Sequence, residues 1–250
     1  MTSDSRFGFW TAMGTGIMTL ATFGVAIATP PLSGPLCTVG CFRYPFLDIA
    51  ARYPRDYYWM LPALPATILY VAFMLGLQAH ARPERRLLGQ LGVVLAVMGA
   101  LTLLGDYFVQ LVAIQPSIVA GEADGVSLLT QYNPHGLFIA LEELGYLLMS
   151  ASLACMAPTL SRATRLERVV HRLFVGGLSA SLAALGWFVI RYGHGRAYRF
   201  ELAVISIVWL TLIPGALMMA AVFRRHIREG MSTAVIATVG ARPSPTRPPR

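Results

Sequence analysis

Three carboxylates stand inside otherwise apolar sequence: Asp106, and the adjacent Glu142 and Glu143. A carboxylate at the middle of a membrane helix costs about 2.5 to 3.5 kcal/mol on insertion scales, so something must offset that cost. Three ionised carboxylates in one low-dielectric pocket repel one another, and at least one then holds a proton near neutral pH unless a cation or an Arg stands beside them. A protonated buried acid is a proton donor, and its ionised neighbour is an acceptor. The competing reading is structural: the acids pair with Arg191, Arg196 or Arg199 and lock helices together.

Helical spacing ranks the acids. His135, Phe138, Glu142, Tyr146 and Met149 share one face by three- and four-residue steps, whereas Gly136, Ala140, Glu143, Ser150 and Ala154 form a face of smaller residues. The first face is expected to line a pocket and the second to contact a helix. Thr102, Asp106 and Gln110 stack along one side of the preceding apolar stretch. Asp106 and Glu142 are therefore the expected working pair, with Glu143 and Gln110 in support. An aromatic stripe at this spacing also serves plain packing.

Further candidates lie near the ends of the apolar stretches. Arg196 and Arg199, in the run Arg191-Tyr192-Gly193-His194-Gly195-Arg196-Ala197-Tyr198-Arg199, suit the oxygens of an anionic group, or else reach for lipid phosphates. Tyr53, Tyr57, Tyr58 and Trp59 read as an interfacial aromatic belt. Cys37 and Cys41 are close enough in sequence for a disulfide in an oxidising compartment, with free thiols the alternative. No metal or other cofactor is expected, because no His-rich ligand spacing accompanies the acids. Walker, dinucleotide-glycine, Gly-x-Ser-x-Gly and Cys-x-x-Cys signatures are absent from the chain.

The elements that must position these groups follow from composition. The chain has 250 residues, 56% hydrophobic and only 13% charged, where a soluble domain carries roughly a quarter charged residues. Its mean hydropathy is +0.60. The sequence predicts an all-α polytopic bundle, a single domain over 1–229 with a disordered cytoplasmic tail over 230–250. Six stretches approach the roughly 20 apolar residues that span a bilayer: Phe7 to Ala28, Trp59 to Ala79, Leu87 to Ile114, Pro134 to Ala157, Leu173 to Ile190 and Leu202 to Phe223. Asn133-Pro134 is expected to start the fourth, as N-cap and first helical residue. The first ends Val25-Ala26-Ile27-Ala28, like a signal-peptidase site, but its long apolar run favours a retained helix.

A formal net charge of +8 could suggest nucleic acid, but the arginines sit in short runs between apolar stretches. Arg82, Arg85 and Arg86, then Arg162, Arg165, Arg168 and Arg172, then Arg224, Arg225 and Arg228 follow alternate spans. They place both termini in the cytoplasm of a cell whose inner, plasma membrane holds the protein, with no nucleic-acid partner. The complete lack of Lys hints at a GC-rich bacterial genome. Asp106 and Glu142 then fall at comparable depths, each about 12 Å from the outer boundary.

The segments Asp106-Tyr107-Phe108-Val109-Gln110, Gln115-Pro116-Ser117 and Gln131 through Glu143, and the earlier Tyr53-Pro54-Arg55-Asp56-Tyr57-Tyr58-Trp59-Met60, resemble uncharacterised prokaryotic multi-helix membrane proteins. The resemblance covers about residues 53 to 157. It implies a membrane fold and no particular activity. The expected function is an intramembrane acid-base site for a lipophilic small molecule, such as isomerisation or cyclisation of an isoprenoid. The alternatives are a proton- or cation-coupled transporter or channel, and a non-catalytic lipid-binding or assembly subunit. Membrane lipids are the expected surroundings, and self-association is left open.

Overall fold

In the computed structural model, residues 2–240 are described, with side chains over 3–231, and these are almost wholly helical with no strand. Eight α-helices follow in order: α1 Thr2–Ile27, α2 Met60–Ala79, α3 Arg86–Val109, α4 Gln115–Val119, α5 Val126–Leu129, α6 Leu137–Met156, α7 Arg165–Tyr192 and α8 Ala197–Gly240. A π-helical segment, Gln110–Ile114, joins α3 to α4. Pro116 explains the changed register: it has no N–H, and its ring would meet the carbonyl four residues back in a regular helix.

Five helical stretches are long and apolar enough to cross a membrane: Ser3–Ile27, Arg55–Ala79, Pro83–Val119, Leu137–Thr159 and Arg165–Met231. The last is a hairpin. A 3-10 turn at Gly193–Arg196 separates α7 from α8, and Gly177 faces Thr211 while Gly215 faces Phe174, so the two helices run antiparallel.

Helices α1, α2, α3, α6 and α8 pack in a closed circuit, each against the next and α8 back onto α1, with α7 outside against α6 and α8. Small residues allow the closest approaches. A Cβ on Gly99 would lie 3.0 Å from the Gly145 carbonyl oxygen, and one on Gly76 would lie 3.0 Å from the Gly8 Cα. Tyr70 on α2 reaches across the circuit to hydrogen-bond Ser152 on α6. Large aliphatic and aromatic side chains point outward along the whole bundle, including Trp187 at 64% and Ile190 at 86% exposure.

The two ends differ. At one end Arg82 donates from its backbone to Thr159 (3.2 Å), Ser5 lies 3.0 Å from the His80 ring nitrogen, and His80 stacks on His226 with centroids 6.0 Å apart. Thr164 and Glu167 form a capping box at the start of α7 there. At the other end, segment 28–59 and segment 120–136 fold over the bundle, and Cys37 and Cys41 are joined in a disulfide.

Two expectations need correction. Helix α6 starts at Leu137 with Gly136 at its N-cap, not at Pro134, because Asn133 Oδ1 accepts from His135 N (2.9 Å) in a side-chain turn that competes with helix. Helix α8 continues to Gly240; residues 241–250 of the expected disordered tail, with their prolines, lie outside the described residues. Of the aromatic belt, only Tyr53 and Tyr58 face outward, whereas Tyr57 and Trp59 turn into the core.

Candidate functional site

A cavity of about 350 Å³ lies under the folded segments, between the end of α1, the starts of α6 and α8, and the residues leading into α2. Its walls carry Phe23, Trp59, Phe138, Tyr198, Ile205 and Trp209, and its carboxyl groups are Asp56, Glu142 and Glu201. Glu142 comes from the second turn of α6 and Glu201 from the first turns of α8. Both are buried, at 1% and 6% exposure.

Glu142 is the hub of a polar network. Tyr107 on α3 donates to Glu142 Oε1 (2.8 Å), and its hydroxyl is also 2.8 Å from that of Tyr146. A phenol has one hydrogen, so with Tyr107 donating to the carboxyl group, Tyr146 donates to Tyr107. The Glu142 and Glu201 side chains meet at this cavity, close enough to act on each other electrostatically. Two ionised carboxylates in one low-dielectric pocket repel, so such a pair favours holding one proton unless a cation stands beside it. Glu201 Oε2 has no hydrogen-bond partner among the described residues. Asp106 lies within electrostatic reach of Glu142, but it does not line the cavity, and its Oδ2 has no hydrogen-bond partner among the described residues.

Glu143, the other neighbour, does something different. Arg196 donates to its Oε2 at 2.7 Å, which ties the 3-10 turn between α7 and α8 to α6. The structural reading of the acids therefore fits Glu143, while Glu142 carries no such pair.

The cap has its own charge pair. Arg52 grips Asp56 through two hydrogen bonds of 3.0 Å, and Tyr132 donates to Asp56 Oδ2 at 2.8 Å. The bond to Asp56 raises the Arg52 guanidinium above its ordinary value, and burial raises the Tyr132 hydroxyl. Ser33 and Leu32 reach the cavity from the disulfide-bearing segment, which is tied down by Phe42 N donating to Leu32 O (2.8 Å). Gly34, at φ +67°, lies so close to Tyr198 and Pro134 that a Cβ would come within 3.3 Å of both. A side chain there would meet both the backbone strain and the crowding.

The expected site residues thus divide. Phe138 and Glu142 line the cavity, and Tyr146 sits beneath it with its ring against Trp209, centroids 5.9 Å apart. Gln110 is not among the residues that line the cavity: it donates to Leu129 O (2.6 Å) and accepts from Gln131 N (3.0 Å), holding the segment before α6. Thr102 bonds back to Met98 O on its own helix. His135 is exposed, since its residue precedes the helix it was expected to share. Arg196 and Arg199 are not in the lining; Arg199 donates to Gly195 O and lies over the Tyr192 ring at 4.4 Å. Glu201, Asp56, Tyr107, Tyr198 and Trp209 escaped the sequence reading. Glu201 was the findable one, a lone acid one residue outside the expected sixth span.

No protein-family model, no curated protein and no solved structure matches this chain. Among the described residues, no group of three His, Cys, Asp or Glu side chains is arranged to hold a metal ion.

Proposed function

We propose that the protein is a multi-pass inner-membrane protein of six spans, with both termini cytoplasmic, whose outer cavity transfers protons to and from a lipophilic small molecule. The observation that carries this reading is the Glu142–Glu201 pair, two buried carboxyl groups with no basic partner among the described residues, facing one aromatic-lined cavity. Dividing the Arg165–Met231 stretch at Gly193–Arg196 turns five crossings into six. The arginine-rich end that carries Arg82, Arg165 and Arg224 then faces the cytoplasm.

The chemistry suited to such a pair is allylic isomerisation or cyclisation. The protonated carboxyl delivers its proton to one alkene carbon, leaving a carbocation. Either carboxylate then takes a proton from an adjacent carbon, and the double bond is restored at a new position or in a ring. The substrate's atoms balance, no redox partner is needed, and the net proton count is unchanged. Tyr107 and Tyr146 hold the pair in place from behind. Ring faces of Trp59, Phe138 and Trp209 stabilise the cation. Dense packing at the opposite end, where Leu77, Met156 and Phe223 are fully buried, favours a ligand site over a through-going path.

The test is hydrogen exchange into lipid. Purified protein is incubated in D2O with a lipid extract of the source membrane, and the lipids are analysed by mass spectrometry. One lipid species should gain deuterium at carbon. Glu142→Gln and Glu201→Gln should each slow this by about a hundredfold or more. No protein-dependent incorporation, or incorporation that survives both substitutions, overturns the proposal. Proton flux into proteoliposomes that depends on the same two acids would instead establish the transporter reading.

A further inference from the structure

The cavity is one-sided in charge. Asp56, Glu142 and Glu201 reach it, and among the described residues no arginine does. Arg52 is engaged by Asp56 and Arg196 by Glu143, so two acids are neutralised locally. Glu142 and Glu201 have no basic partner among the described residues. The carboxyl oxygen Oε2 of Glu201 lacks any hydrogen-bond partner there, in a side chain only 6% exposed that lines the cavity.

Around these acids stand Trp59, Tyr132, Phe138, Tyr198 and Trp209. Aromatic faces carry the negative end of the ring quadrupole, so they attract a cation and repel an anion. The remaining wall is hydrocarbon. Ile27 at the end of α1 and Leu202 at the start of α8 line the cavity while also being exposed, which places an apolar mouth between these two helices. A cavity of this size lies within the range used for small organic ligands.

We propose that this cavity is a binding site for a lipophilic ammonium ion, a single positive charge carried on an alkyl chain. The ammonium group lies against Glu201 and Glu142 within the aromatic rings, and the chain leaves between α1 and α8 past Ile27 and Leu202. A lipid anion of the same length is excluded, since its carboxylate would be stripped of water among carboxyl groups with no Arg to receive it. The inference rests on the reading of the cavity as the ligand site, but not on proton transfer to the ligand bound there.

The test compares three probes of one chain length, N,N-dimethyldodecylamine, dodecanol and dodecanoate, titrated calorimetrically into the full-length protein in a nonionic detergent. The amine should bind about tenfold more tightly than the alcohol, and dodecanoate should show no saturable binding. Glu201→Gln should weaken the amine by about tenfold and leave the alcohol within about twofold. Equal affinities, preference for dodecanoate, or an amine affinity untouched by Glu201→Gln overturns the proposal. Should that variant fail to fold, the ranking on the unaltered protein together with Trp209→Leu, which should weaken the amine more than the alcohol, still decides. Amine selectivity without deuterium incorporation would remove the catalytic reading and leave the binding site. Incorporation without amine selectivity would do the reverse.

Discussion

The neighbours Glu142 and Glu143 show how far one step along a helix separates roles. Successive residues on a helix point about 100° apart, so Glu142 faces the cavity and Glu201 while Glu143 faces Arg196. The Glu143–Arg196 pair is partly wet, at 11% and 31% side-chain exposure, and its worth is therefore below the 3 to 5 kcal/mol typical of breaking a dry pair. Arg196→Met should cost about 1 to 3 kcal/mol after that discount, seen as a lowered melting temperature. The double variant with Glu143→Gln should recover part of the loss. A melting temperature unmoved by Arg196→Met would mean that the pair contributes nothing to holding the turn. At this scale the sequence was informative about the acids and offered Arg196 among their partners, but not which acid it would meet. The cost of burying Asp106, Glu142 and Glu143 was legible from their apolar flanks. Which arginine meets which acid depends on how α7, α8 and α6 are arranged, which no spacing within one helix reveals.

Helix placement was legible wherever apolar stretches were long, and failed where local polar groups set the boundary. The expected Phe7 to Ala28 and Trp59 to Ala79 spans fall close to α1 and α2. The start of α6 was missed because Asn133 turns its side chain onto His135 N rather than capping a helix, and that cost His135 its place in the site. The start of α8 was set five residues late, because Arg199 and Glu201 look like loop residues in a hydropathy reading; Glu201 was lost with them. Element packing makes its own prediction. Because a Cβ on Gly99 would press on the Gly145 carbonyl at 3.0 Å, Gly99→Val should force α3 away from α6 and cost about 1 to 3 kcal/mol. Gly105→Ala on the same helix, where a Cβ meets nothing within 4 Å, should leave stability unchanged or raise it. Thermal unfolding of the two variants side by side checks this, and equal losses would show that backbone flexibility, not the close approach, matters at Gly99.

On the scale of the molecule, composition alone pointed to a helical membrane bundle, and the outward-facing Trp187, Ile190, Leu101 and Leu87 agree with an apolar surround. The pairing of ends carries the topology further. Arg82, Thr159, His80 and His226 meet at one end, so whichever face one of them occupies, the others share. Single cysteines placed at Glu84 and at Glu122, in a background lacking the native thiols, should respond oppositely to a membrane-impermeant maleimide added outside intact cells. The Glu122 position should be labelled and the Glu84 position protected. Labelling of both, or of Glu84 alone, would reject the six-span arrangement. What composition could not convey is the cap: Arg52, Asp56, Tyr132 and Gln131 belong to two distant segments of polar sequence, and only the tertiary fold joins them over the cavity.

The neighbourhood of α1 and α8 has a consequence for how the protein is made. These are the first and last helices of the bundle to emerge during synthesis, yet they pack side by side, and the cavity's mouth lies between them. In the proposed membrane arrangement, α1 then has α2 on one flank and only lipid where α8 will lie through most of translation, with Phe23 and Ile27 facing the bilayer. Glu201 is made after Glu142, at the start of the last helix of the described bundle. In that arrangement the acid pair is not assembled until α8 is made, and a chain halted before α8 would hold an open groove in place of the site.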